Sequence, residues 1–307
     1  MTDQISPSSA NATAVALPRI MGVLNLTPDS FSDGGKFFSA EAAIAQAKQL
    51  ISEGASVIDV GGESTRPGAT RLTPAEEQER VLDVIADIAQ LPEVASGSVQ
   101  ISVDTLNSST ARLAVAAGAT IVNDVSGGQA DPAMFATVAQ LNSAGKPVTY
   151  ILGHWANFAE GAGAVQQTSD IVASVVAELS AAVAVAESAG IDRAALVLDP
   201  GLGFGKDSDQ NWQLVHGFDA LASLGLPVLI GASRKRFIAA QVAQDQGVDV
   251  AQVTIEQRDA ATAALSAEAW AKALEHKTAD KLWGFRVHNV RANIDALQAA
   301  AALRFAH

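Results

Sequence analysis

Ile20-Met21-Gly22-Val23-Leu24-Asn25-Leu26-Thr27-Pro28 is the stretch whose reading decides the fold. Its aliphatic run over residues 20–26 reads as a buried strand. The run passes through Asn25-Leu26 into Thr27-Pro28. A doubly wound, dinucleotide-binding sheet would usually carry a glycine-rich GxGxxG turn there instead. Outward from this point the same unit recurs, a short aliphatic run followed by a longer Ala-rich stretch. Candidate strands fall at 20–26, 57–60, 100–103, 120–122, 147–152, 196–198, 227–231 and 282–287. Candidate helices fall between and after them, at 40–53, 74–90, 109–117, 132–142, 169–189, 209–223, 256–276 and 290–302. Strict alternation implies parallel strands with right-handed crossovers, and eight units in about 290 residues fit a closed barrel. The expected fold is therefore α/β, a single-domain (β/α)8 TIM barrel over residues 18–307, preceded by a disordered tail at 1–17.

Local punctuation supports these boundaries. Gly54, Gly118, Gly145 and Gly190 stand where helices give way to strands, suiting a left-handed C-cap. Thr73-Pro74 and Asp131-Pro132 pair an N-cap oxygen with a first-turn proline and mark helix starts. Residues 241–254 are the least regular part, read as an insertion in the seventh unit.

Composition narrows the function classes. A net charge of -13 argues against a nucleic-acid backbone as partner, though not against a small anionic substrate held at a local basic site. The absence of cysteine removes disulfides, thiolate metal sites and cysteine nucleophiles together. The N-terminal residues lack a basic start followed by an apolar run, so no signal peptide is expected. The apolar stretch 172–189 carries Glu178 and Glu187 and is read as too short and too charged to span a membrane. A soluble, cytoplasmic protein is expected.

Nearly every candidate strand ends in a polar residue: Asn25, Asp59 with Glu63, Asp104, Asn123, His154, Asp199, Ser233 with Lys235, and Arg286 with His288. Any one of these alone reads as a helix-capping loop residue. All of them at the C-terminal ends of barrel strands would converge on one mouth, as a polar ligand site does. Asp104, Asn123 and Asp199 offer acceptors and an amide suited to a flat heterocycle rich in N–H donors. Asn25, Arg66, Arg286 and His288 come from strands one, two and eight, neighbours once the barrel closes. They suit a phosphate or pyrophosphate, with Asn25 able to hold a hydrated Mg2+. Lys235 can serve either ligand. His154 has both a structural and a functional reading, Lys206 reads as a loop cap, and His216 and His276 read as solvent-facing.

The run Met21-Gly22-Val23-Leu24-Asn25-Leu26-Thr27-Pro28-Asp29-Ser30-Phe31-Ser32-Asp33-Gly34-Gly35 resembles the first-strand signature of the dihydropteroate synthase family. Ile58-Asp59-Val60-Gly61-Gly62-Glu63-Ser64-Thr65-Arg66-Pro67-Gly68 resembles the second. Shorter matches follow in family order around Asp104, Asn123, Asp199-Pro200-Gly201-Leu202-Gly203-Phe204-Gly205-Lys206, Ser233-Arg234-Lys235 and Arg286-Val287-His288, so the resemblance covers about residues 19 to 302. It implies condensation of p-aminobenzoate with 6-hydroxymethyl-7,8-dihydropterin pyrophosphate, with Mg2+ as cofactor and a homodimer as the usual assembly. It also implies roles: Asp104, Asn123, Asp199 and Lys235 for the pterin, and Asn25, Arg66, Arg286 and His288 for the pyrophosphate. Phe31, Thr65, Pro67, Phe204, Ser233 and Lys235 would frame p-aminobenzoate. Arg66, Lys235, Arg286 and His288 are the expected catalytic residues.

Two positions depart from the family pattern. Leu152-Gly153-His154-Trp155 stands where many members have Met-His-Met, so Gly153 is expected to remove a pocket-lining side chain for which Trp155 compensates. The Trp form resembles actinobacterial members. Asn289 stands where Asp is commoner, with little effect expected. Two other readings are a pterin-binding methyltransferase domain, which does not predict the Ser64–Gly68 loop, and a non-catalytic pterin-binding paralogue, which should have lost loop residues that are intact here.

Overall fold

The computed structural model describes residues 16–26, 40–63, 71–160 and 164–305. Eight parallel strands close into one barrel in chain order. They are β1 (Arg19–Asn25), β2 (Val57–Gly61), β3 (Gln100–Asp104), β4 (Ile121–Asp124), β5 (Thr149–Gly153), β6 (Leu196–Asp199), β7 (Val228–Ile230) and β8 (Leu282–Val287). The helices packed outside are α1 (Ala40–Ser52), α2 (Pro74–Ile88), α3 (Pro92–Ala95), α4 (Ser108–Ala117), α5 (Met134–Ser143) and α6 (Ile171–Ser188). They continue with α7 (Ser208–His216), α8 (Phe218–Ala222), α9 (Arg236–Gln246), α10 (Ile255–Glu275) and α11 (Val290–Phe305).

Strand alternation sorts the side chains into two separate cores. Ile20, Leu24, Ile58, Val60, Tyr150, Leu152 and their like face outward and join the helices in one large cluster. Met21, Val57, Ile121, Ile151, Val197 and Leu229 face inward and plug the barrel, with Trp283 packed against them. Two residues further along, the same inward face carries Asp59, Asn123, Gly153, Asp199 and Gly231. The apolar plug is thus the floor of a polar mouth. In β8 the register slips: Val228 pairs with Leu282 but Leu229 pairs with Gly284. The extra residue resets the alternation after inward-packed Trp283, so Arg286 turns inward while Phe285 and Val287 join the outer core.

Several boundaries differ from the sequence reading for identifiable reasons. The expected helix 209–223 is two helices broken at Gly217, where a Cβ would lie 2.8 Å from Val172 Cγ2, so the glycine lets α6 pack close. Thr73 caps α2 with a full capping box, as expected. Helix α5 starts at Met134, two residues later than expected; Asp131 still serves the turn that leads into it, Oδ1 accepting from the Ala133 amide at 2.9 Å, while Oδ2 accepts from the Ser108 amide at 2.8 Å, at the start of α4. Residues 241–254 are more regular than expected: α9 continues to Gln246, ends on Gly247 at φ 66°, and a short 3-10 turn leads to α10. The helix-ending glycines 54, 118, 145 and 190 all have positive φ.

Helix α6 has 18 residues and a mean hydropathy of 1.7, which is long and apolar enough to cross a membrane, contrary to the expectation from its two glutamates. Its Ile171, Val175, Leu179 and Val183 recur every four residues and are buried against the barrel, so they serve as a core stripe. In α10, Leu265, Trp270 and Ala273 are covered within the chain. The expected tail at 1–17 lies outside the described residues up to residue 15.

Candidate active site

The floor of the mouth is built on Asp59, which exposes none of its surface. Its Oδ2 accepts from Arg286 Nε at 2.6 Å and from Asn123 Nδ2 at 3.2 Å. Arg286 Nη2 donates to Asp104 Oδ2 at 2.7 Å. One guanidinium therefore bridges acids on β2 and β3. Burial raises the Asp104 carboxyl to about 7 against the opposing pull of Arg286. Arg286 is held above the ordinary arginine range by the two aspartates, which outweigh its burial. Asp59 Oδ1, Asn123 Oδ1 and Ser102 Oγ are buried with no hydrogen-bond partner. Asp59 and Ser102 are register partners, as are Asp104 and Asn123, so these groups lie side by side on β2, β3 and β4, with the Ser102 hydroxyl able to donate as well as accept. Buried acceptors of this kind are costly unless a donor arrives, which suits a ligand edge bearing N–H groups.

Asp199 lies across the barrel on β6, 4% exposed, with Oδ1 accepting from the Gly201 amide at 2.7 Å. Lys235 Nζ donates to the Leu202 carbonyl and stands 4.6 Å from the centre of the Phe204 ring. Burial pulls the Lys235 ammonium down to about 8, partly offset by Asp199. Phe204 packs on Trp155 at 4.8 Å, and Trp155 on Phe158 at 5.2 Å. With Leu106 and Val125 these rings form a small apolar cluster of their own.

Ser233 and His288 form a third group. Ser233 Oγ accepts from the His288 amide at 3.1 Å and lies 2.9 Å from its Nδ1. With the hydroxyl donating to Nδ1, a neutral ring carries its proton on Nε2. The turn bearing Ser233 and Lys235 passes through Arg234 at φ 59°, a left-handed conformation unusual for Arg. Its fork binds Asp259 of α10 through two 2.7 Å bonds, which fixes the strained turn. Asn289 Nδ2 also reaches Asp259 at 3.4 Å, while its Oδ1 caps α11 at the Ala292 amide. A neutral amide suits this place beside a carboxylate.

The structure thus brings together Asp104, Asn123, Asp199, Lys235, Phe204, Ser233, Arg286 and His288 at one mouth. Asn25 ends β1 opposite Gly61, whose ideal Cβ would lie 3.9 Å from Asn25 Oδ1 and 3.7 Å from Asp104 Oδ2. Phe31, Thr65, Arg66 and Pro67 lie outside the described residues, as do Asp29 and Asp33. Glu63 instead pairs with Arg71 at 3.3 Å. His216 and His276 are exposed as expected, His276 touching Asp219.

The expectation for Gly153 is overturned. A Cβ there would lie 2.5 Å from Val125 Cα and 2.7 Å from Asp124 O, so β5 and the β4 loop meet with no room for a side chain. Asp59 was visible as a strand-end acid, but its role was not; the signal is its place two residues after the inward Val57.

Comparison with known proteins agrees with this geometry. The family model described as pterin binding enzyme matches residues 21–277. A dihydropteroate synthase from Mycobacterium leprae (strain TN) is 42% identical over 290 residues, 94% of each chain, in keeping with the likeness to actinobacterial members. Among solved structures, Xanthomonas albilineans dihydropteroate synthase with 4-aminobenzoic acid superposes with a TM-score of 0.77 at 39% identity, covering 94% of this chain and 93% of that one. The same enzyme in complex with 7,8-dihydropteroate gives 0.74 at 36% identity, covering 94% of each.

Proposed function

The chain belongs to the pterin-binding enzyme family, and we infer that it works there as a dihydropteroate synthase, a transferase joining p-aminobenzoate to 6-hydroxymethyl-7,8-dihydropterin pyrophosphate. The observation that carries this is the pairing of unsatisfied acceptors on Asp59 and Asn123 with Asp199, Lys235 and Arg286 across one barrel mouth.

In this reading Asp104, Asn123, Asp199 and Lys235 hold the pterin, and Asn25, Arg66, Arg286 and His288 hold the pyrophosphate. Thr65, Pro67, Phe204 and Ser233 frame p-aminobenzoate, with Phe31 closing over it. The methylene C–O bond breaks with its electron pair leaving on pyrophosphate, and the electron-rich dihydropterin stabilises the resulting cation. The arylamine nitrogen forms the new C–N bond and releases a proton. That amine is already neutral at pH 7, so no base must activate it. The chain's contribution is electrostatic: the Arg66 and Arg286 guanidiniums and the Nε2–H of His288 offset charge growing on the leaving group.

Among the described residues no cluster of three or more His, Asp or Glu side chains could cage a metal. A single amide oxygen from Asn25 suits Mg2+, which keeps several waters and leans on substrate phosphates. Asn25 would hold it, and the ion would add to the charge stabilisation of pyrophosphate. The reading extends to a homodimer, which the family resemblance supports, and to the cytoplasm; sedimentation and fractionation test the two.

The deciding assay supplies Mg2+, the pterin pyrophosphate and p-aminobenzoate, and follows pyrophosphate release together with product. Stoichiometric formation of both is expected; no turnover at any substrate level overturns the reading.

A further inference from the structure

Lys206, between β6 and α7, is a buried amine that the proposed reaction leaves unused. Burial pulls its ammonium down to about 7, partly offset by Asp199. Its Nζ donates to the carbonyl oxygens of Gly201 and Phe204, both at 2.9 Å, and of His154 at 3.3 Å, and lies 3.0 Å from His154 Nδ1. The expected loop cap is therefore a clamp whose three N–H donors are shared among four acceptors, the His154 carbonyl being the farthest. His154, also buried, extends the chain through Nε2 to Glu178 Oε2 on α6 at 2.9 Å. Gln166 Nε2 donates to the other Glu178 oxygen at 2.5 Å. A carboxylate only accepts and the charged form of Lys206 only donates, so with that form both partners are served by a neutral His154 with its proton on Nε2. An imidazolium would turn a donor toward Lys206. Burial holds the His154 pKa below the usual histidine value, although Glu178 pulls the other way.

The clamp joins the loops after β5 and β6 where their backbones nearly touch. A Cβ at Gly201 would stand 1.7 Å from His154 O, and one at Gly205 would stand 2.4 Å from Ala156 O. Between these contacts the loop presents Phe204 to Trp155 and Lys235, and Leu202 O to Lys235 Nζ. Asp104 and Asn123 hang from β3 and β4 and take no part.

We propose that Lys206, braced by His154 and Glu178, is a positioning residue for the arylamine: it sets Phe204 against Lys235 and so shapes the p-aminobenzoate subsite. This rests on the synthase reading above. The test is steady-state kinetics of the full chain and its Lys206→Met, His154→Leu and His154→Asn variants, varying each substrate in turn. Lys206→Met should raise KM for p-aminobenzoate roughly tenfold, while KM for the pterin pyrophosphate and kcat change by less than about threefold. His154→Leu should shift in the same direction, and His154→Asn should recover most of that loss, because its Oδ1 can replace Nδ1 as acceptor. Parallel rises in both KM values, or an unchanged p-aminobenzoate KM, overturn the proposal. Should Lys206→Met fail to fold, equal KM values for the two His154 variants do the same. Loss of turnover in the wild-type chain would instead bring down the synthase reading itself.

Discussion

Arg286 and Asp59, 227 residues apart in the chain, meet through a 2.6 Å contact between Nε and Oδ2 at the floor of the barrel mouth. The aspartate is fully buried and the arginine side chain is 20% exposed, so neither has much access to water. Arg286 also reaches Asp104, which makes the cation the shared partner of two acids. Removing either acid changes the charge balance at the centre of the site.

Asp59→Ala should therefore destabilise the fold by about 3 kcal/mol, the typical effect of stranding one partner of a buried ion pair. Urea unfolding of the variant against wild type measures it. A loss of under about 1 kcal/mol would show that Asp104 alone satisfies the guanidinium.

Gly153→Met restores the commoner family residue but should be harmful here. The new Cβ falls against Val125 Cα and Asp124 O, and Gly153 is the register partner of Asp199. Overpacking predicts a stability loss of about 2 kcal/mol or more, with weaker pterin binding because β5 must shift beside Asp199. Wild-type melting and wild-type affinity together would show that the backbone accommodates the side chain.

Asp199→Asn keeps an oxygen for the Gly201 amide but replaces an acceptor-only carboxylate with a mixed amide. Pterin affinity measured by calorimetry should fall roughly tenfold or more, with thermal stability little changed. Unchanged affinity would remove Asp199 from the pterin site.

Lys235 gives a pH signature. Burial places its ammonium at about 8, so the charged form prevails below that value and is lost as pH rises through it. An anionic substrate is served by the charged form, so kcat/KM should decline on an alkaline limb with an apparent pKa near 8. Lys235→Met should lower the kcat/KM of both substrates and flatten that limb. A variant retaining the full alkaline decline would assign the limb to another group.

Much of the fold was legible because its signals are local. Alternating aliphatic runs, helix-ending glycines and the Thr73 cap depend on residues within one or two turns of each other, and the strands follow them to within two residues at each end. The two helices divided at Gly217 escaped because the cause is Val172 of α6, distant in sequence. Residues 241–246 looked irregular because their apolar spacing is sparse, yet they complete α9 on the outer layer.

For the site, the sequence by itself determined that Asp59, Asp104, Asn123, Asp199 and Arg286 end strands on the side of the barrel mouth, since residues at the C-terminal ends of parallel strands gather at one end. Tertiary structure alone decided their partners. A slip of one residue in β8 turns Arg286 inward. Asp59 then becomes its anchor, Ser233 turns to His288, and Lys206 couples through His154 to Glu178. Sequence periodicity fixes the direction of a side chain relative to its own strand or helix. Which charge it meets depends on barrel closure and register, and those bring together residues that no local pattern relates.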